Sequence, residues 1–119
     1  MGFAINIGSE HPSELIEYYR ALFGAPFIER GGYASWMFDG NLVTVGPHTD
    51  VKGRNDQPGR VMWSMQTDDA MRDYERYKAA GAIIVKELYQ DADAPEFTIA
   101  TFADPDDNYF QIVMHKPSS

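Results

Sequence analysis

The sequence contains no cysteine. Disulfides, thiolate metal sites and a cysteine nucleophile all need that sulfur, so the sequence excludes them. Positive charge is scarce as well: 10 Lys and Arg stand against 18 Asp and Glu, a formal net charge of −8. Nucleic acids and anionic membrane surfaces are normally met by a basic stripe, so neither is expected as a partner. No apolar run reaches the ~18 residues that a membrane-spanning helix requires, and no secretory leader is recognisable, which makes the cytoplasm the expected location. Histidine is limited to His11, His48 and His115, at three separate element ends. A metal site using His48 with Asp50, or His115 with a residue of a partner chain, is the alternative to reading them as ordinary surface side chains. No Ser-His-Asp or paired-carboxylate arrangement stands out, because the acids cluster in turns and at helix starts, where capping accounts for them.

What is present is ordinary globular composition, 44% apolar and 24% charged over 119 residues, enough for one compact core-bearing domain. The densest local signal is Asp104-Pro105-Asp106-Asp107-Asn108, a turn whose Pro presets φ and whose Asp and Asn bond their own backbone. It feeds a strand from Tyr109 to Met114. Alternation there puts Phe110, Ile112 and Met114 on one face and Tyr109, Gln111, Val113 and His115 on the other. An earlier run, Phe38 to Gly46, superposes on this one with Asn41 on Asn108, Val43 on Phe110 and Thr44 on Gln111. Two amphipathic runs also end alike, in Phe23-Gly24-Ala25 and Ala80-Gly81-Ala82, which indicates an internal duplication.

In chain order, Phe3 to Ile7 alternates as a strand. Pro12 then suits a first helical position, with Glu14 in the first turn, and Leu15, Tyr18, Tyr19, Leu22 and Phe23 recur at helical spacing before Gly24. Ala25 to Glu29 and Tyr33 to Phe38 read as strands, and Asp39-Gly40 is a hairpin signal into Asn41 to Gly46. The first module thus spans residues 1–47, and the polar segment 48–59 is its connector to a second module over 60–115. That module opens with a strand from Arg60 to Gln66 and a helix capped by Thr67 or Asp68, with Ala70, Met71, Tyr74, Tyr77 and Lys78 as its buried stripe. Strands from Ile83 to Tyr89, Phe97 to Ala103 and Tyr109 to Met114 complete it.

Two βαβββ modules cannot bury their sheets alone. The expected architecture is α+β, with the modules forming one curved, eight-stranded mixed sheet, a half-barrel with its helices on the convex side. Alternation sends Phe3, Ile5, Ile7, Val43, Val45, Val61, Trp63, Met65, Phe110, Ile112 and Met114 toward the helices. The concave side receives Asn6, Thr44, Ser64 and Gln111 as hydrogen-bonding groups, Met62 as apolar wall, and Tyr109 with Trp36 as aromatic edges. Such a lining suits a largely apolar or aromatic small molecule oriented by a few polar contacts.

These motifs resemble the vicinal oxygen chelate superfamily, which holds glyoxalases, bleomycin-resistance proteins and extradiol dioxygenases. The resemblance is carried by Ile5-Asn6-Ile7 before a helix with Tyr18-Tyr19-Arg20-Ala21-Leu22-Phe23-Gly24, by Gln66-Thr67-Asp68-Asp69 entering the second helix, and by Asp104-Pro105-Asp106-Asp107-Asn108 before the last strand. It implies that a divalent metal, where one is used, takes ligands from four places that here hold Ala4, Thr44, Met62 and Gln111. Asn6 and Ser64 lie two residues inward. Only Gln111 is a plausible donor, so no metal or other cofactor is expected. The resemblance implies a small-molecule-binding homodimer. Its alternatives are a metal-dependent lyase, isomerase or dioxygenase acting on vicinal oxygens, and a regulatory or interaction domain with a closed cleft.

Overall fold

The computed structural model describes residues 2–116 of the chain. Its elements run β1 (Ala4–Ser9), α1 (Pro12–Phe23), β2 (Ile28–Arg30), β3 (Tyr33–Phe38), β4 (Asn41–Pro47), β5 (Trp63–Gln66), α2 (Ala70–Ala79), β6 (Ile83–Gln90), β7 (Phe97–Ala103) and β8 (Tyr109–His115). The strands are hydrogen-bonded as two four-stranded sheets, ordered β1-β4-β3-β2 and β5-β8-β7-β6. In each sheet the first strand lies parallel to the last, and the remaining neighbours are antiparallel. Both halves are therefore βαβββ modules. The duplication extends to register: Asn6 faces Thr44 in the first sheet as Ser64 faces Gln111 in the second.

The chain forms two compact units divided between Arg54 and Asn55. The first half of the polar segment belongs to the first unit, where the Gly53 N–H donates to the Glu10 carboxylate at 3.0 Å and the His48 N–H to the Ser9 carbonyl at 3.4 Å. Asn55 belongs to the second, donating from its N–H to the Asp106 carbonyl at 2.8 Å.

In the first unit, Pro12 occupies the start of α1, where a missing N–H costs nothing, and Gly24 ends the helix at φ 83° with its N–H on the Arg20 carbonyl. Between these stops Leu15, Ile16, Tyr19 and Leu22 are buried against a sheet face carrying Ala34, Trp36, Val43 and Val45. Each large side chain removed from water there contributes about 1.5–3 kcal/mol. The Asp39-Gly40 hairpin has the two consecutive positive φ values, 49° and 83°, of a type I′ turn.

Four expectations are corrected. Trp36 lies on the helix face rather than the open one: it is 3% exposed, its ring stands 6.2 Å from both Tyr19 and Phe23, and its Nε1–H donates to the Gly24 carbonyl. The cap of α2 is Asp69, whose carboxylate accepts the Arg72 N–H at 3.1 Å, while the Thr67 hydroxyl accepts the Asp69 N–H. Its buried stripe is Ala70, Asp73, Tyr74 and Tyr77; Met71 sits about 100° round the helix from Ala70 and is 59% exposed, and Lys78 is exposed. Phe3 and Val61 precede the strands and are exposed as well, so neither faces a helix. No helix among the described residues is long and apolar enough to cross a membrane.

Candidate functional site

On the sheet face turned away from its helix, each module carries a transverse polar row. In the first sheet Asn6, Thr44 and Ser35 stand side by side across β1, β4 and β3, with the Thr44 and Ser35 hydroxyls 2.8 Å apart. In the second, Ser64, Gln111 and Thr101 do the same across β5, β8 and β7. The Ser64 hydroxyl donates to the Gln111 amide oxygen and the Gln111 amide nitrogen donates to the Thr101 hydroxyl, both at 3.1 Å. These bonds fix which end of the amide points where.

The second row continues to a residue that sequence reasoning missed. Two register shifts in β6 place Lys86 opposite Thr101, and the Lys86 ammonium lies 4.0 Å from the centre of the Tyr89 ring. A β-bulge changes which residues face a partner strand without leaving a mark in hydrophobic alternation. Nothing in the run Ile83 to Gln90 announces it.

Beyond Asn6 and Thr44 the first sheet opens into a cavity of about 530 Å³. Its size is within the ~300–1,000 Å³ typical of small-molecule pockets. Beside it Gly8 and Gly46 face each other across β1 and β4. A methyl group at Gly46 would stand 2.0 Å from the Tyr33 ring, and one at Gly8 would stand 2.7 Å from the His48 β-carbon. Without side chains at these positions, Tyr33 from β3 and His48 from the segment after β4 come down onto bare backbone and form the walls, together with Val51. The Tyr33 hydroxyl is committed, donating to the Pro47 carbonyl at 3.2 Å. The His48 Nδ1 accepts the Asp50 N–H at 3.1 Å, so in the neutral ring the hydrogen sits on Nε2. A second cavity, of about 390 Å³, lies beside the start of α1 and the β2–β3 turn. Its Glu17 and Glu29 already pair with Arg20.

Of the residues assigned to the open face, Asn6 and Thr44 line the larger cavity, and Ser64 and Gln111 form the second row. Tyr109 is half-buried opposite Ala103, Met62 precedes β5 and is 41% exposed, and Trp36 is withdrawn to the helix face. His11 precedes α1, and His115 ends β8 with its ring 4.7 Å from that of Phe97. The His11 and His48 backbone N–H groups both donate to Ser9, at 2.8 and 3.4 Å, and His115 belongs to the second unit. Among the described residues no three His, Asp or Glu gather into a group able to hold a metal.

The four places to which the family resemblance assigns metal ligands have unsuitable chemistry. Ala4 has no donor and Met62 only a thioether. The Thr44 hydroxyl is shared with Ser35, and the Gln111 amide oxygen accepts the Ser64 hydroxyl. A hard divalent ion takes carboxylate or imidazole ligands, and this set does not fit one.

Comparison with known proteins adds the family. A model of the glyoxalase-like domain matches residues 4–113. The chain belongs to the glyoxalase-like family. It thereby falls in the vicinal oxygen chelate superfamily that its motifs resemble. This glyoxalase-like chain is similar to the solved glyoxalase/bleomycin resistance protein of Catenulispora acidiphila, at 18% identity and a TM-score of 0.72 over 98% of this chain and 97% of that one. The corresponding protein of Alicyclobacillus acidocaldarius gives 12% identity and 0.78 over 98% and 92%. A family enzyme of Burkholderia phytofirmans gives 16% and 0.72 over 95% and 97%. At such identities the likeness is one of fold. No curated protein matches the glyoxalase-like chain.

Proposed function

We propose that this glyoxalase-like protein binds a largely apolar or aromatic small molecule on the open faces of its sheets without the divalent metal used by other branches of the superfamily. The observation that carries this reading is the pair of polar rows, Asn6-Thr44-Ser35 and Ser64-Gln111-Thr101, at equivalent register positions. Of the four strand positions where an ion would need carboxylates or imidazoles, Thr44 and Gln111 are neutral hydrogen-bonding groups inside these rows, and Ala4 and Met62 are apolar. Neutral donors and acceptors on an otherwise apolar face orient a ligand while leaving most of its affinity to apolar burial. The second row ends at Lys86, which favours a ligand presenting acceptor oxygens over a cationic one.

A thermal-shift series over neutral aromatic compounds tests the reading, since a ligand at 100 times its Kd adds ~2.7 kcal/mol to folding stability. At least one compound should raise the melting temperature of the wild type, and Gln111→Ala or Thr44→Ala should reduce that rise. If no compound moves the melting point, or both variants respond as the wild type does, the reading fails. The protein also pairs with a second copy in this account. Strand β2 forms one edge of the first sheet, all three of its residues are exposed, and the neighbouring Phe27 is 61% exposed. Light scattering should therefore give twice the chain mass of 13.4 kDa, and a single-chain mass would exclude the pairing.

A further inference from the structure

We infer that the cavity over the Gly8–Gly46 pair is the part of the protein that selects its ligand, by taking a flat ring that carries a carbonyl or similar acceptor oxygen, with the His48 Nε2–H as donor to that oxygen. The inference rests on the ligand-binding reading above and assigns it to one place. Its basis is a half-open pocket whose walls pack on two glycines. Two glycines facing each other across parallel strands leave the floor without side chains, and the residues on either side, Tyr33 and His48, occupy the space that those side chains would have filled.

The polar groups of the pocket divide by what they have left to offer. The Tyr33 hydroxyl is spent on the Pro47 carbonyl, so Tyr33 presents its ring. Thr44 shares its hydroxyl with Ser35. His48 is held by the Asp50 N–H on Nδ1, which leaves Nε2–H as a donor. Asn6 is exposed at the same wall and adds a carboxamide. A tyrosine ring packed on one glycine and an imidazole, with Nε2–H as its remaining donor, on the residue packed against the other complement a planar molecule with an acceptor oxygen at its edge. A carboxylate ligand finds no cation among the lining residues, and a purely hydrocarbon ring would leave the donor unpaired.

The position of His48 is itself secured. The Gly53 N–H bonds the Glu10 carboxylate, Lys52 stands 3.8 Å from the same carboxylate, and the Val51 N–H donates to the His48 carbonyl. The segment that looks like the start of a connector in the sequence is therefore a strap tied to the first module, and it delivers the donor to the pocket.

Coumarin, a planar bicycle with a carbonyl acceptor and no donor, is the probe, and indole, a planar bicycle with a donor and no oxygen, is its control. Each is titrated into the ¹⁵N-labelled full chain while backbone amide shifts are followed. Coumarin should move the Gly8, Gly46, His48 and Val51 amides. His48→Phe keeps a ring of similar size and removes the N–H; it should weaken coumarin by about threefold to tenfold, the worth of one net hydrogen bond, and leave indole affinity unchanged. Gly46→Ala, which drives Tyr33 off the floor, should abolish the coumarin shifts. Because His48 is exposed, His48→Phe folds even if Gly46→Ala does not. Coumarin shifts that miss this pocket, or equal coumarin affinity in wild type and His48→Phe, would overturn the inference. Shifts confined to the neighbourhood of Ser64 and Gln111 would overturn it while leaving the ligand-binding reading intact, and silence with every aromatic compound on both sheets would end both.

Discussion

Asp104 has no solvent exposure, and its carboxyl group accepts the Asp106 N–H at 2.9 Å, the Asn108 N–H at 3.0 Å and the Asn108 amide nitrogen on both oxygens. It holds the turn that starts β8 and so fixes where Gln111 falls. The density of Asp and Asn in this stretch is legible in the sequence as a turn, but not which acid holds it, because that depends on which carboxyl group the folded chain buries. Replacing Asp104 with Ala leaves several buried donors unpaired, and the loss should be on the order of 3 kcal/mol, read as a lower urea midpoint at unchanged m-value. Asp91→Ala, which removes the acceptor of a single N–H, that of Asp93 at 3.0 Å, should cost clearly less; equal losses would show that Asp104 is not the organiser. Trp36 illustrates the complementary limit. Along Tyr33 to Phe38 both faces carry aromatic or apolar residues, so alternation sorts them into two sets without saying which set faces the helix. The rings of Tyr19 and Phe23, distant in sequence, decide it.

Among the elements, the strap over residues 48–53 depends on one carboxylate for its anchor. The N–H of Gly53 holds the Glu10 carboxyl below the ordinary carboxylate range, helped by the Lys52 and His11 charges. A depressed folded-state pKa means that this contribution is present above the unfolded value and is lost as pH falls through the folded one. Amide exchange at Gly53 and Val51 should accordingly accelerate, relative to exchange elsewhere in the chain, as pH falls below the ordinary glutamate range. Glu10→Ala should produce the same acceleration at neutral pH with little change in melting temperature, since the carboxylate is at the surface; unaltered exchange would mean that the strap is held by other contacts. Helix α2 offers a simpler case. Asp69→Ala removes a side-chain cap and should cost about 1 kcal/mol, whereas Asp68→Ala should cost little, and the reverse order would contradict the cap assignment. Sequence pattern finds the existence of these elements readily, because helical and strand periodicities are local. It does not find the bulges of β6 or the strap, since each is defined by a partner far along the chain.

For the molecule as a whole, the most informative feature in the sequence is its repetition. Setting Thr44 on Gln111 predicts that their strand partners, Asn6 and Ser64, are equivalent too, and the register of the two sheets agrees. That is why the fold and half of the candidate site are legible before any coordinates: a duplicated βαβββ unit repeats its side-chain directions along with its strands. The remaining half, with Gly8, Gly46, Tyr33 and His48, breaks the repetition, and its meaning lies in side chains that are missing. A glycine in a strand reads as a weak point or a turn until the neighbour that fills its space is known. Neutral groups stand at Thr44 and Gln111, and the proposed binding of a small molecule there needs no ion. This is tested most directly by measuring the metal content of the purified protein by elemental analysis and titrating an aromatic ligand before and after chelation. Zn, Fe, Ni and Mn should be substoichiometric, and the binding isotherm should be the same on both sides of the treatment. About one such ion per chain, with binding that disappears on chelation and returns when the ion is restored, would contradict it.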